Sequence, residues 1–586
     1  MYLEKINSPE DVKKLSIDEM KELSFEIRKA LLNRLSEKGG HVGPNLGVVE
    51  LTIALHYVFN SPKDKIVYDI SHQSYVHKIL TGRKEGFTNL EKYKTISGYS
   101  NPDESEHDFF KLGHTSTSIS LACGLAKARD LKGDKDNIIA IIGDGSLSGG
   151  EAYEGLNNAA EAGTNMIIIV NDNEMSIAEN YGGLYKNLRE LRESEGKCEC
   201  NFFKAMGLDY YYIKDGHNLD ELISTLRKVK DIDNPVVVHV HTIKGKGFEV
   251  AEKNKEQWHW GMPFEIETGK LKVDNKNTNT YANLTGEYLL NAMKKDKNVV
   301  AITSGTPTVF GFYKDRREKA GKQFVDVGIA EEHAVALASG IAANGGTPVY
   351  GVNSTFLQRT YDQLSQDLCI NNNPATILVY SASVYGMNDV THIGLFDIGF
   401  MSNIPNMVYL APAFKEEYFK MLNWAMTQKE HPVAIRVPAM GVIESGVEDT
   451  TDYSILNKYQ VTKEGNEVAI IALGDFYQLG EKVVKKLSKE NDIEATLINP
   501  KFITGIDEEL LESLKKEHKI IITIEDGILE GGFGEKISRF YGPSNMKVLN
   551  YGIKKEILDR YIPDELMKKN RLTDIQIVED IIKIIR

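Results

Sequence analysis

At 586 residues the chain is too long for one core, and ordinary domain sizes divide it into three or four. Its composition is globular, 41% hydrophobic and 26% charged, and a formal charge of -14 argues against nucleic acid, whose binders present a basic face. No apolar run reaches the roughly 18 residues of a membrane span, and the start lacks the basic and apolar segments of a secretory signal. The four cysteines form no disulfide framework, and Cys198-Glu199-Cys200 has no second pair to complete a metal site. The expectation is a cytoplasmic protein with reduced thiols and small-molecule partners, with no nucleic acid and no membrane.

Along the chain, short β-branched runs alternate with segments of helical spacing. In a first block, 1–264, strands are expected at Asn137–Ile142, Met166–Val170 and Pro235–Val240, and helices at Glu151–Ala162 and Asn218–Val229. Unbroken branched runs are the pattern of parallel strands covered on both faces. Residues 265–282, rich in Lys, Asn and Thr and without periodicity, read as a linker. A second block, 283–443, opens with a helix Gly286–Lys295 and a strand Val299–Ile302 and closes with a strand Val433–Val437. After the polar stretch Glu444–Tyr453 comes a third, 455–586, with strands Val468–Leu473, Glu494–Ile498 and Ile520–Ile524 and a helix Leu479–Glu490. The fold class is α/β: three consecutive α/β domains, mainly parallel sheets flanked by helices.

The most informative stretch is Gly143-Asp144-Gly145-Ser146, directly after a buried strand. Ligands of α/β sheets bind at the strands' C-terminal ends; glycines let backbone N–H groups approach a phosphate, and the next helix offers its N-terminus. Twenty-nine residues after Asp144 comes Asn173, in Asn171-Asp172-Asn173-Glu174-Met175 at the end of the next strand. Adjacent parallel strands would bring Asp144 and Asn173 to one edge. A carboxylate, an amide oxygen, a backbone carbonyl and two phosphate oxygens suit octahedral Mg2+. Alone, Gly-Asp-Gly is a tight turn; the pairing points to a metal-bound diphosphate.

These two segments, GDGSLSGGEAYEGLNNAA and NDNEMSI, resemble the thiamine diphosphate fingerprint of the transketolase superfamily, in the form of the 1-deoxy-D-xylulose-5-phosphate synthase family. Blocks beginning at Gly39, Ser71, Gly113, Lys244, Val325 and Ser354 match that family in order, four in the first expected domain and two in the second. It implies a diphosphate-binding domain over 1–264, a pyrimidine-binding domain over 283–443, a C-terminal transketolase domain over 455–586, a homodimer, and the cofactors thiamine diphosphate and Mg2+. By that resemblance Asp144, Asn173 and the Met175 carbonyl hold the metal. Gly113, Gly143, Gly145, Ser146 and Lys244 lie along the cofactor, Ile177 supports its bent form and Phe356 stacks on its pyrimidine. Glu331 is the implied activating carboxylate. His41, His72, His114, His259 and His392 are the implied proton-transfer groups, with Arg359 beside them; His72 and His114 also touch cofactor. Judged singly, Glu331 would be a first-turn helix residue, Phe356 a core residue, and a lone histidine structural. The motifs around them carry the assignment. His77 and His333, also in family blocks, are weaker candidates. The implied reaction takes pyruvate, releases CO2 and transfers the acetyl-level unit to an aldehyde, which in the family is glyceraldehyde 3-phosphate.

The acceptor half departs from the family. Its D-R-A-G segment is here Tyr380-Ser381-Ala382-Ser383, and its R-Y-P-R-G is Arg436-Val437-Pro438-Ala439-Met440, so Ser381 and Ala439 replace two phosphate-gripping arginines. Neither replacement offers a charged, forked donor. A tyrosine becomes Asn353 and an aspartate Asn388, whereas Arg359 and His392 remain. The segment between Asn180 and Phe203 is also shorter than its counterpart. Either the acceptor is a different aldehyde, with or without phosphate, or the family's phosphate is met by substitutes such as Arg359, Lys92 or Lys111. A transketolase moving two-carbon ketol units is the rival enzyme. A degenerate scaffold is disfavoured by the retained Asp144, Asn173 and Glu331.

Overall fold

The computed structural model describes residues 1–162, 165–272 and 278–585. The chain forms two units, Met1–Lys276 with Gly328–Ala330, and Asn277–Val327 with Glu331–Arg586.

In the first unit five strands, β1 (Lys65–Tyr68), β2 (Ile138–Gly143), β3 (Met166–Asp172), β4 (Asp209–Ile213) and β5 (Pro235–His241), form one sheet in the order β1-β2-β3-β5-β4. Every pairing is parallel. Ile138–Ile142, Ile167–Val170 and Val236–Val238 are almost wholly buried, as strands with helices on both faces must be. Gly143 pairs with Asn171, so the two motif segments leave adjacent strands at the same edge. The flanking helices begin on local signals. Ser16 and Glu19 form a reciprocal capping box for the helix Ile17–Lys38, and Asn218 caps Leu219–Val229 through the amides of Asp220 and Glu221.

The second unit holds two sheets. Strands β6 (Val299–Thr303), β7 (Phe324–Asp326), β8 (Thr347–Asn353), β9 (Thr376–Tyr380), β10 (Val408–Leu410) and β11 (Val433–Arg436) run parallel in the order β10-β11-β9-β8-β6-β7. Strands β12 (Gln460–Lys463), β13 (Glu467–Ala472), β14 (Thr496–Asn499), β15 (His518–Ile528) and β16 (Lys547–Ile553) follow in the order β12-β14-β13-β15-β16, with only β12 antiparallel. The helix expected from Gly286 begins earlier, at Tyr281, inside the stretch read as linker. Thr280 accepts the Asn283 amide at 3.2 Å and caps it, so a polar run serves as a helix's first turn. Residues 273–277 of that stretch lie outside the described residues. Among the described residues no helix is long and apolar enough to cross a membrane.

Candidate active site

In the first unit the site is built at the C-terminal ends of β2 and β3. Asp144 is buried, and Asn180 Nδ2 donates to its Oδ2 at 2.7 Å. Burial, with Asp172 nearby, pushes the Asp144 carboxyl well above its ordinary range, while Asn180 and Lys244 pull the other way. Asp172 shows the contrast. Although burial opposes it, His239 at 2.9 Å and Arg192 hold its carboxyl down at about 2. Asp172 is therefore tied into the framework, whereas Asp144 is left under-compensated, with the charge of Lys244 too weak to offset its burial.

Around Asp144 several oxygens lack donors. Asn173 Oδ1, Ser176 Oγ and Asn180 Oδ1 are buried and make no hydrogen bond. Donorless oxygens beside an under-compensated carboxylate are what a hard, oxygen-seeking cation such as Mg2+ satisfies, so these residues fit that ion. Among the described residues no three His, Cys, Asp or Glu side chains gather as an alternative metal site. Met175 pairs with Glu179 across a bridge that closes the loop, with Ile177 inside it and partly exposed. Gly145 is required sterically, since a Cβ there would meet Ser176 Cβ at 2.9 Å. Gly143 has no such constraint.

Lys244 is 2% exposed; its Nζ donates to the Ser176 carbonyl at 2.6 Å and lies 3.1 Å from His259 Nδ1. Burial lowers its pKa to about 7, against the pull of Asp144. The loop carrying Gly113 and His114 is fixed by Asp69, just beyond β1, whose two oxygens accept the Ser116 and Ser118 amides at 2.9 and 3.0 Å. Ser116 Oγ then donates to the Ser146 carbonyl at 2.8 Å, tying this loop to the Gly-Asp-Gly-Ser turn.

Three of the candidate histidines form a cluster. The rings of His41, His72 and His259 have centroids 5.0, 5.4 and 5.5 Å apart, and Tyr99 lies 5.8 Å from His41. Burial, with Lys244 adjacent, pushes His259 well below its ordinary value, so its imidazole is neutral. The fully buried Asn45 fixes this cluster: its Nδ2 donates to the carbonyls of His41 and His72 at 2.9 and 2.8 Å, and its Oδ1 accepts the Tyr75 amide at 3.0 Å. His77 lies elsewhere, in a buried network with His56 at 2.9 Å and Asp108 at 3.0 Å.

In the second unit Glu331 opens the helix Glu331–Ala343 and is 2% exposed. Burial raises its carboxyl to about 7 despite Arg359, whose Nη1 is 3.7 Å from Oε2; that oxygen makes no hydrogen bond. Phe356 lies edge-on to His392 at 5.6 Å, and burial lowers the His392 pKa. His333 is exposed and lines a surface groove with Asn298 and Gly340, whereas Glu331 is buried.

The four substituted positions are occupied with one another or with neighbours. Ser381 Oγ donates to Asn353 Oδ1 at 2.9 Å. Asn388 Nδ2 donates to the Tyr561 carbonyl at 2.8 Å. The Ala439 amide donates to Asp475 Oδ2 at 2.8 Å, and burial, with Asp526 nearby, raises that carboxyl to about 7. Arg436 is committed to Asp397 at 2.7 Å and to Asp526. Lys92 pairs with Glu85 at 3.4 Å and Lys111 with Asp103 at 2.6 Å.

Sequence reasoning missed Asn45, Asp69 and Asn180. Each lies in or beside a recognised motif, but nothing in a single Asn or Asp announces the distant backbone or carboxylate it will bind.

The family model described as 1-deoxy-D-xylulose-5-phosphate synthase matches residues 3–199 and 195–242. The transketolase pyrimidine-binding domain matches 277–442, and the transketolase C-terminal domain 457–577. Among curated relatives, a protein of Alkaliphilus oremlandii named 1-deoxy-D-xylulose-5-phosphate synthase is 41% identical over 99% of each chain. Proteins of the same name from Clostridium beijerinckii and Clostridium tetani are 41% and 39% identical, over 93% and 98% of each chain.

Proposed function

This chain belongs to the 1-deoxy-D-xylulose-5-phosphate synthase family, and we propose that it is a thiamine diphosphate- and Mg2+-dependent transferase that decarboxylates pyruvate and passes the two-carbon unit to an aldehyde lacking phosphate. The observation that carries the cofactor assignment is the under-compensated, buried Asp144 and the donorless Asn173 oxygen, which follow adjacent paired strands at one sheet edge. Asp144, Asn173 and the Met175 carbonyl would hold the metal, and Lys244, Gly113, Gly143, Gly145 and Ser146 would meet the diphosphate. When bound, thiamine diphosphate supplies the attacking ring carbon and the electron sink.

The protein's part is placement and proton management. Glu331, buried with one oxygen open, holds a proton near neutral pH where the cofactor's pyrimidine nitrogen would bind. Phe356 offers that ring a stacking face and Ile177 a support. The neutral imidazole of His259, with His41 and His72 packed around it, suits proton transfer at reacting carbonyl and hydroxyl oxygens. His114 and His392 have the same role on their own loops, and Arg359 keeps Glu331 company. The protein acts on small molecules as a homodimer in the cytoplasm, the setting its family resemblance favours.

The acceptor reading rests on the second unit. Ser381 and Asn353 satisfy each other, Ala439 lies against the acidic Asp475, and Arg436 is already shared by two aspartates. A phosphate dianion would meet carboxylates there, with no free guanidinium among these residues. Products from pyruvate and a panel of aldehydes, read by mass spectrometry, test this. Glyceraldehyde should exceed glyceraldehyde 3-phosphate in kcat/KM by at least about tenfold, the effect of one lost charge-assisted bond, and Ala439→Arg should narrow the gap. Efficient wild-type turnover of the phosphorylated aldehyde would refute it. The rival transketolase reading predicts ketose-phosphate donors and no CO2 from pyruvate.

A further inference from the structure

We propose that Asn180 is a fourth protein group of the metal site: one end of its amide orients Asp144, and the other supplies an oxygen to the hydrated cation. The proposal rests on the reading of Asp144 and Asn173 as metal ligands. The loop leaving β3 turns at Glu174, whose φ is 69°, is closed by the Met175–Glu179 bridge, and returns Asn180 to Asp144. A carboxylate can only accept, so the contact of 2.7 Å fixes which end of the amide faces Asp144: Nδ2 donates, and Oδ1 points elsewhere.

That remaining oxygen is buried and accepts nothing. A buried acceptor without a donor is destabilising, because it has lost its hydrogen bonds to water and gained none in return. The same loop carries two more such oxygens, Asn173 Oδ1 and Ser176 Oγ, and folds back against the buried Asp144 carboxylate. One such atom would be a packing defect. Three on one short loop around Asp144 make a polar shell built for something that presents positive charge or donated hydrogens. A Mg2+ ion with its retained waters does both. The Asp144 contact makes Asn180 a positioning residue as well, because it holds one carboxylate oxygen and leaves the other for the ion.

The test uses the full-length protein saturated with thiamine diphosphate and titrated with manganous ion, with free Mn2+ read by electron paramagnetic resonance. The wild type is compared with Asn180→Ala, Asn180→Asp and Asp144→Ala, and the metal-free thermal midpoint of each is recorded. Asn180→Ala should weaken Mn2+ binding tenfold or more while its metal-free midpoint stays close to that of the wild type. Asn180→Asp puts a second carboxylate against Asp144, so its metal-free midpoint should fall and Mn2+ should raise it by more than in the wild type. Wild-type Mn2+ affinity in Asn180→Ala, alongside lost binding in Asp144→Ala, would overturn the role of Asn180 and leave the metal site standing. Unchanged affinity in Asp144→Ala would overturn both.

Discussion

Replacing Glu331 by glutamine should make the cofactor-free protein more stable at alkaline pH while destroying its activity. The carboxyl is buried at the start of a helix, and burial lifts it from the ordinary 4.5 to about 7. A folded-state value above the unfolded one means that the native state binds the proton more tightly. The penalty is therefore absent below about pH 4.5, grows as the pH rises, and is complete above about 7. Its full size is about 3 kcal/mol, at 1.36 kcal/mol for each pH unit of displacement. Glutamine keeps the shape and a hydrogen-bonding end but cannot ionise. Urea unfolding of cofactor-free wild type and Glu331→Gln, from pH 5 to 8.5, should give nearly equal stabilities at the acid end and a growing advantage for the variant toward pH 8. Turnover of the loaded variant should fall by at least about a hundredfold, the usual worth of a general acid–base group. Equal stability of the two proteins at pH 8, or an advantage independent of pH, would refute the burial argument. Retained activity would refute the role.

Lys244 gives a second pH-dependent expectation. Burial holds it at about 7 in the cofactor-free protein, and an arriving diphosphate would raise it, so binding at pH 8 should take up close to one proton. Calorimetry in buffers of different ionisation enthalpy reads that uptake, and Lys244→Met should abolish it; no uptake in the wild type would contradict the placement. Asn45→Asp removes the donor to the carbonyls of His41 and His72 while keeping the acceptor for Tyr75. Each carbonyl left without its partner costs about 1–3 kcal/mol, so kcat should fall tenfold or more with the circular dichroism spectrum retained. An unchanged kcat would show that the histidine cluster does not depend on this pin.

Much of the fold was legible because the signals were local. Ile138–Ile142, Met166–Val170 and Val236–Val240 are runs dominated by β-branched residues, the pattern of parallel strands buried on both faces. Two elements were missed because their composition argues against them. β12, Gln460–Lys463, is a polar edge strand, largely exposed, held by its antiparallel partner β14 rather than by an apolar face. The first turn of the helix at Tyr281 was hidden in a run of Asn and Thr whose capping role depends on a single side chain.

The site divides the same way. Gly145 and Asp144 announced themselves through a motif at a strand end, and a steric reason for Gly145 appears once Ser176 is seen against it. Which of two nearby aspartates is secured by direct partners could not be read from the sequence, because His239 and Arg192, which hold Asp172, are distant in the chain. Likewise the replaced residues Asn353 and Ser381 looked like two separate losses. Their mutual hydrogen bond makes them one local rearrangement.

The most direct measurement of the central claim follows the carboxyl carbon of pyruvate. Purified wild-type protein, stripped of cofactor, is given pyruvate labelled at C1, an aldehyde acceptor, and thiamine diphosphate with Mg2+ added or withheld. Labelled CO2 should appear only when both are present, matched mole for mole by a product two carbons longer than the acceptor. Release that ignores the cofactor, or none at all with every component supplied, would contradict the account.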